Sequence, residues 1–231
     1  MDDDIQDILD AVSRPSLPQR TLDLQALTRA WVNERTSPEL LPYPSDLVDR
    51  VVERVKTQIE TIEDRTATMD SKSNFTLVIL QTELERFKFL VRSFLRARMA
   101  KIDQYPHHYR TLSLQQTQSA NPTSPSPLLS HLEQQYLQSH QSLLSHHYQS
   151  SFLSTFPAAL QRLDDTAGGI SMVDKPETDN AVFCRVLRDA GSVEIQGEGG
   201  ATEVDLRRGD VWVVRWSAVD EAVRRGDVEL I

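Results

Sequence analysis

The chain holds one cysteine, Cys184, in 231 residues. A single thiol excludes an intrachain disulfide framework and a multi-cysteine zinc site. Basic charge is also short: 25 Lys and Arg stand against 34 Asp and Glu, for a formal net charge of −9. That balance argues against a general nucleic-acid coat, which must neutralise phosphates with a basic surface. No apolar run approaches the roughly 18 residues of a membrane span, and the N-terminus lacks the basic and apolar layout of a signal peptide. The sequence therefore predicts a soluble protein of a reducing compartment, cytosol or nucleus, with no membrane partner. With 39% hydrophobic and 26% charged residues it can bury a core, as one large or two small domains.

Groupings that carry chemistry are scarce too. His107, His108, His140, His146 and His147 lack the Glu partner and tight i,i+4 spacing of a helical zinc site, so they read as surface or interface residues. Gly197-Glu198-Gly199-Gly200 is too short for a dinucleotide fingerprint and reads as a hairpin loop. The Arg-Gly-Asp triplets at 208–210 and 225–227 sit at strand starts, where Gly and Asp serve turns. No serine occupies a nucleophile elbow, and Cys184 lies inside an expected strand as a packed thiol. Nothing nominates an enzyme, a cofactor or a metal site.

What the chain does have is one long stretch without proline or glycine, Asn74 to Tyr105. At 100° per residue, Leu77, Leu80, Leu84, Phe87, Val91, Leu95 and Ile102 fall on one stripe. Phe75, Ile79, Leu90 and Phe94 widen it past half the circumference, leaving Glu85, Lys88, Arg92 and Arg96 as a polar ridge. Such a helix is about 45 Å long at 1.5 Å per residue. It is too apolar and too long for this chain to cover, which implies a subunit of something larger. The basic ridge Lys88, Arg92, Arg96, with Arg98 and Lys101, has two readings: contact with DNA phosphates, or salt bridges to acidic faces in an assembly. The net charge favours the second. Arg98 projects among apolar residues and needs a carboxylate partner, from this chain or a neighbour.

Around that stretch the pattern predicts helices over Leu22–Arg35, Asp46–Met69 (with Ser45 as N-cap), Leu128–Gln149 and Phe152–Leu163. On the fourth, Leu129, Leu132, Tyr136 and Leu143 share a side. Residues 111–127 are polar, proline-bearing and nearly uncharged, the composition of a disordered linker, with Ser124-Pro125 and Ser126-Pro127 as possible proline-directed kinase sites. After Gly168-Gly169 the period becomes two, giving strands at Ala181–Arg188, Val193–Gln196, Thr202–Leu206, Asp210–Trp216 and Asp227–Ile231. Ser217 with Asp220 resembles a capping box for a short helix that Gly226 ends. The expected fold is mainly α: a flexible acidic tail (1–20), a helical bundle (21–167) and a small β-rich domain (168–231). In the tail, Ile5, Ile8 and Leu9 form one apolar edge among aspartates, either a frayed solvated end or a linear motif for a partner's groove.

Specific strings carry a resemblance. Leu27-Thr28-Arg29-Ala30-Trp31-Val32-Asn33-Glu34-Arg35 and Ser37-Pro38-Glu39-Leu40-Leu41 resemble the opening of the Sld-five subunit of the eukaryotic GINS complex. Gln81 to Phe89, Arg92 to Arg98 and Lys101-Ile102 are similar to that family's signature long helix. Lys175-Pro176, Ala181 to Val186 and the ending Gly226 to Ile231 are similar to its β domain. Two features depart from the family pattern: the long linker, and Pro176-Glu177-Thr178-Asp179 in place of Pro-Asp-Leu-Asp. The resemblance implies a non-catalytic subunit of a heterotetramer with three other GINS subunits. That tetramer would join the MCM motor ring and a further cofactor protein in the CMG replicative helicase, in the nucleus. It would act in initiation, fork progression and break-induced replication, meeting DNA only indirectly. The tail would bind a trimeric adaptor that ties the helicase to the priming polymerase. Candidate subunit contacts are then Leu27, Trp31, Leu84, Phe87, Val91, Phe94, Arg98, Trp212, Trp216 and Ile231, and candidate adaptor contacts Ile5, Ile8 and Leu9. The alternative is a DNA-binding accessory protein that uses the basic ridge.

Overall fold

The computed structural model describes residues 17–67, 74–118, 127–161, 172–197 and 200–231. Helix α1 (Gln19–Thr36) starts on Pro18, whose carbonyl accepts from Thr21 N at 2.7 Å, and ends at the extended Ser37 before Pro38. It thus begins three residues earlier than the apolar pattern alone predicts. Helix α2 (Ser45–Ala67) places Ser45 inside its first turn rather than at the cap; Pro44 holds the preceding position and accepts from Val48 N at 3.0 Å. Helix α3 (Asn74–Gln104) is unbroken over 31 residues and turns Leu84, Phe87, Leu90, Phe94, Arg98 and Ile102 inward, at helical spacing. Leu27 of α1, Val51 of α2 and Phe87 and Leu90 of α3 form one packed layer.

Pro106 opens α4 (Pro106–Gln118), a favoured first helical residue because the missing N–H has no partner there anyway. This helix corrects the linker expectation: residues 111–118 belong to α4, and 119–126, with the serines of both Ser-Pro sites, lie outside the described residues. Tyr109 anchors α4, buried with Leu40, Ile102 and Leu129, its hydroxyl accepting from Leu40 N at 3.1 Å. Helix α5 (His131–Ser151) begins at a capping box, with Ser130 Oγ accepting from Glu133 N and Glu133 from Ser130 N. Its inward face is Glu133, Leu137 and Gln141, not the expected side. Of the expected residues Leu129, just ahead of the helix, is buried, whereas Leu132, Tyr136 and Leu143 are exposed. Two polar anchors choose that face: Glu133 is drawn in by Arg98, and Gln141 both accepts from Arg110 and donates to Pro106 O. The predicted fifth helix is two 3₁₀ turns, Leu153–Thr155 and Ala158–Leu160, on either side of Pro157.

The C-terminal part is β1 (Ala181–Val186), β2 (Gly191–Gly197), β3 (Gly200–Leu206), β4 (Val211–Arg215), α6 (Trp216–Arg225) and β5 (Val228–Leu230). A three-stranded antiparallel sheet runs β4–β1–β5, with Phe183 opposite Val213 and Cys184 opposite both Trp212 and Leu230; β2 and β3 form a separate hairpin. Strand β1 stops at Val186 because Leu187 and Arg188 turn their N–H groups to Asp227 O. The expected Ser217–Asp220 capping box is absent: α6 starts at Trp216, Ser217 N donates to Thr178 O, and Asp220 pairs with Arg224 at 3.3 Å. Gly226 does end α6, at a φ of 82° that an L side chain adopts only with strain.

Helices and sheet are joined by the segment between α1 and α2. Leu41 packs into the β-rich core with Val182, Cys184, Trp216 and Leu230. Asn33 Oδ1 accepts from Leu230 N at 2.8 Å, Arg29 pairs with Glu229 at 2.7 Å, and Glu39 accepts from Trp216 Nε1 at 3.2 Å and Arg224 at 3.1 Å. A sheet this small is marginal alone and gains contacts from α1 along its β5 edge.

Candidate subunit interface

Arg98, the odd residue of the long helix, is fully buried and meets two carboxylates of its own chain. Its Nε and Nη2 donate to Glu133 Oε1 and Oε2 at 2.7 and 3.1 Å, a bidentate pair. Nη1 donates to Glu34 Oε2 at 2.9 Å and to Leu41 O at 2.7 Å, and Nη2 also donates to Leu128 O at 2.8 Å. Lys101, one turn on, donates to Glu34 Oε1 at 2.7 Å, Ser37 Oγ at 2.8 Å and Glu39 O at 2.7 Å. Two cations and two anions balance. Burial alone would pull the Arg98 guanidinium down, but Glu133 and Glu34 outweigh it and hold it above its ordinary value. Burial dominates at Lys101 and lowers its ammonium, with Glu34 opposing. The Tyr43 and Phe94 rings flank the guanidinium at 5.2 and 5.6 Å. This node ties α1, α3, α5 and the Leu40–Leu41 segment together; its lone pairs and protons are spent on holding the fold.

The predicted contact residues therefore separate into two groups. Leu27, Leu84, Phe87, Phe94, Arg98 and Trp216 are covered by their own chain, so no partner can use them as surface. Trp31, Val91 and Trp212 are partly buried, and Ile231 is exposed. Trp31 meets Phe89 edge-on at 6.1 Å, with the Arg35 guanidinium over its ring. Ile5, Ile8 and Leu9 lie outside the described residues. The basic ridge is divided as well: Arg98 and Lys101 turn into the node, while Lys88 and Arg92 pair with Glu85 at 3.2 and 3.7 Å. His140 stacks on Tyr136, 5.6 Å between centroids, and lies 3.9 Å from Asp103. Among the described residues no group of three His, Cys, Asp or Glu is placed to hold a metal ion.

Of the surfaces that are apolar and open, sequence reasoning anticipated the over-apolar long helix but missed the sheet face. On the outer face of the β4–β1–β5 sheet, Phe183, Val211 and Val213 are 59%, 58% and 55% exposed. The register sets Phe183 against Val213 and Arg185 against Val211, and Ile231 N donates to Phe183 O, so these side chains adjoin. Glu229 bridges Arg185 at 3.3 Å along one border of this patch. A second open region is the start of α3, where Phe75 is 77% exposed beside Val78 and Ile79. The available signal was β1 itself: Val182, Cys184 and Val186 point inward, yet Ala181 and Phe183 on the other side are apolar too.

Two family models match the chain: the GINS complex protein helical bundle domain over residues 50–152, and the DNA replication complex GINS protein SLD5 C-terminus over residues 176–231. The protein from Chaetomium globosum named DNA replication complex GINS protein SLD5 is 46% identical over 231 residues, 99% of this chain and 100% of its own length. The chain belongs to the SLD5 family of GINS proteins. Relatives of the same name from Yarrowia lipolytica and Schizosaccharomyces pombe are each 39% identical, covering 99% and 90% of this chain and 85% and 92% of their own.

Proposed function

We propose that this SLD5-family chain is a non-catalytic structural subunit of the heterotetrameric GINS complex. In the nucleus it would join the MCM motor ring and a further cofactor protein in the CMG helicase, serving initiation, fork progression and break-induced replication. ATP hydrolysis belongs to the motor. The N-terminal segment, through Ile5, Ile8 and Leu9, ties the helicase to a trimeric adaptor. One observation carries the reading: the apolar outer sheet face of Phe183, Val211, Val213 and Ile231, open to solvent in the single chain. Adjoining exposed apolar side chains of this kind mark a surface kept for a protein partner.

The test is co-expression with three GINS partners, followed by size exclusion with mass measurement. The wild-type chain is expected in a monodisperse 1:1:1:1 particle, and Phe183→Asp with Val213→Asp outside it, with an unchanged melting temperature. A wild-type chain that elutes as a stable monomer beside its partners would overturn the proposal.

A further inference from the structure

Behind the α2–α3 pair lies a groove of about 200 Å³, floored by Val52, Val55 and Val91 and rimmed by Lys56, Lys88 and Arg92. Helix α1 meets the opposite side of this pair, where Asp23 pairs with Arg54 at 3.0 Å and Arg20 with Glu83. The groove is smaller than the roughly 300–1,000 Å³ of small-molecule pockets and suits one or two aliphatic side chains. Its rim cations are loosely held. Lys56 pairs with exposed Glu53 at 3.4 Å, and Lys88 and Arg92 share Glu85, so three positive charges face two negative ones. Exposed pairs of this kind contribute little and exchange readily.

An occupant must therefore bring aliphatic side chains and carboxylates together. One segment of this chain does: residues 1–16, ahead of the described structure, carry Asp2, Asp3, Asp4, Asp7 and Asp10 around Ile5, Ile8 and Leu9, with Arg14 the one basic residue. We infer that this segment docks in its own chain's α2–α3 groove, Ile8 and Leu9 on the valine floor and the aspartates beside Lys56, Lys88 and Arg92. The reach suffices. Arg20 sits at Glu83, five residues before Lys88, which is about 7–8 Å along the helix axis. Passing around one helix adds about half a circumference, roughly 16–19 Å. The ten residues from Leu9 to Gln19 span up to about 33 Å. Docking in cis would use the same Ile5, Ile8 and Leu9 that the adaptor reading assigns to a partner. The segment would then be available only in the fraction of time it is undocked, which lowers its apparent affinity for the partner by that fraction.

The experiment is zero-length carbodiimide crosslinking of the full chain, co-purified with GINS partners and also alone, read by mass spectrometry. The Lys88–Glu85 crosslink reports that the chemistry works. Tail aspartates are expected to join Lys56 or Lys88, and the yield to fall at least five-fold in Ile8→Ser with Leu9→Ser, which leave the described core untouched. Tail crosslinks formed as readily to the exposed Lys175, crosslinks of Lys56 and Lys88 to a partner subunit instead, or none beside a formed Lys88–Glu85 link would each overturn the inference. Assembly with GINS partners is scored separately by co-elution, so that reading and this one can fail independently.

Discussion

Replacing Arg98 by methionine tests the node that holds the helices together. The guanidinium makes five hydrogen bonds, three to carboxylate oxygens and two to the carbonyls of Leu41 and Leu128, with no exposed surface. Methionine fills much of the volume but leaves Glu133 buried at 5% exposure without its cation, and uncaps two carbonyls. Glu34 retains Lys101 at 2.7 Å, so one carboxylate rather than two is orphaned. Breaking one side of a buried pair typically costs about 3–5 kcal/mol. For a chain of this size each kcal/mol moves the melting temperature by roughly 2–4 °C, so Arg98→Met is expected to melt about 6–20 °C lower by scanning calorimetry. Arg96→Met, two residues away on the exposed ridge, is the control and should stay within about 0.5 kcal/mol of wild type. Adding Glu133→Leu removes the orphaned charge, so the double variant should be more stable than the sum of the two single losses by up to about 3 kcal/mol. A melting temperature for Arg98→Met within about 2 °C of wild type, or strict additivity in the double variant, would refute the account of Arg98 as a charge sustained by Glu133.

Asn33→Ala should destabilise by about 1–3 kcal/mol in urea, because it leaves the buried Leu230 N–H without its acceptor; Asn33→Asp, which keeps an acceptor, should lose less, and equal losses would count against the contact. Cys184 is fully buried, with burial pushing its thiol above the ordinary value. Iodoacetamide should therefore label it at least about a hundred-fold more slowly in the native chain than in urea, and comparable rates would show that the sheet does not close over it. His108 is held below its ordinary value by burial, with Glu39 opposing and Lys175 adding to the shift. The unfolded chain therefore takes the proton first as pH falls below about 6.5, and stability present above that pH is lost on the way down. His108→Gln should show a smaller drop in melting temperature between pH 7.5 and 5.5 than wild type; parallel slopes would place the pH dependence elsewhere.

Periodicity made the long helix legible because packing and sequence agree there: Leu84, Phe87, Leu90, Phe94 and Ile102 are buried at the positions the 3.6-residue repeat selects. It also flagged Arg98 as needing an anion. It could not name Glu133, since that partner lies 35 residues away on a helix whose Leu132 and Leu143 point outward. Helix α5 was misread for a related reason. Counting leucines assumes that apolar area decides the buried face, whereas Glu133 and Gln141 are pulled in by Arg98 and Arg110 from other helices. The Ser130–Glu133 spacing was in plain view and, read as a capping box, places the helix start correctly. Helix α4 has too little charge and too many Thr, Ser and Gln residues to announce itself; Tyr109 and the half-buried Leu112 hold it against the α3 terminus.

The contact candidates expose the deeper limit. A residue that fills a chain's own core and one reserved for a partner are both simply apolar in sequence, which is why Leu27, Phe87 and Trp216 were selected together with Ile231. What separates them is a face count. A strand with one packed side needs alternate residues only, yet β1 is apolar at Ala181 and Phe183 as well as at Val182, Cys184 and Val186, and its partner β4 repeats the excess at Val211 and Val213. The inner set is already covered by α6 and Leu41. The outer set stays exposed, whereas a sheet face turned to water is ordinarily polar; that excess of apolar side chains is the pattern of a surface that meets a partner.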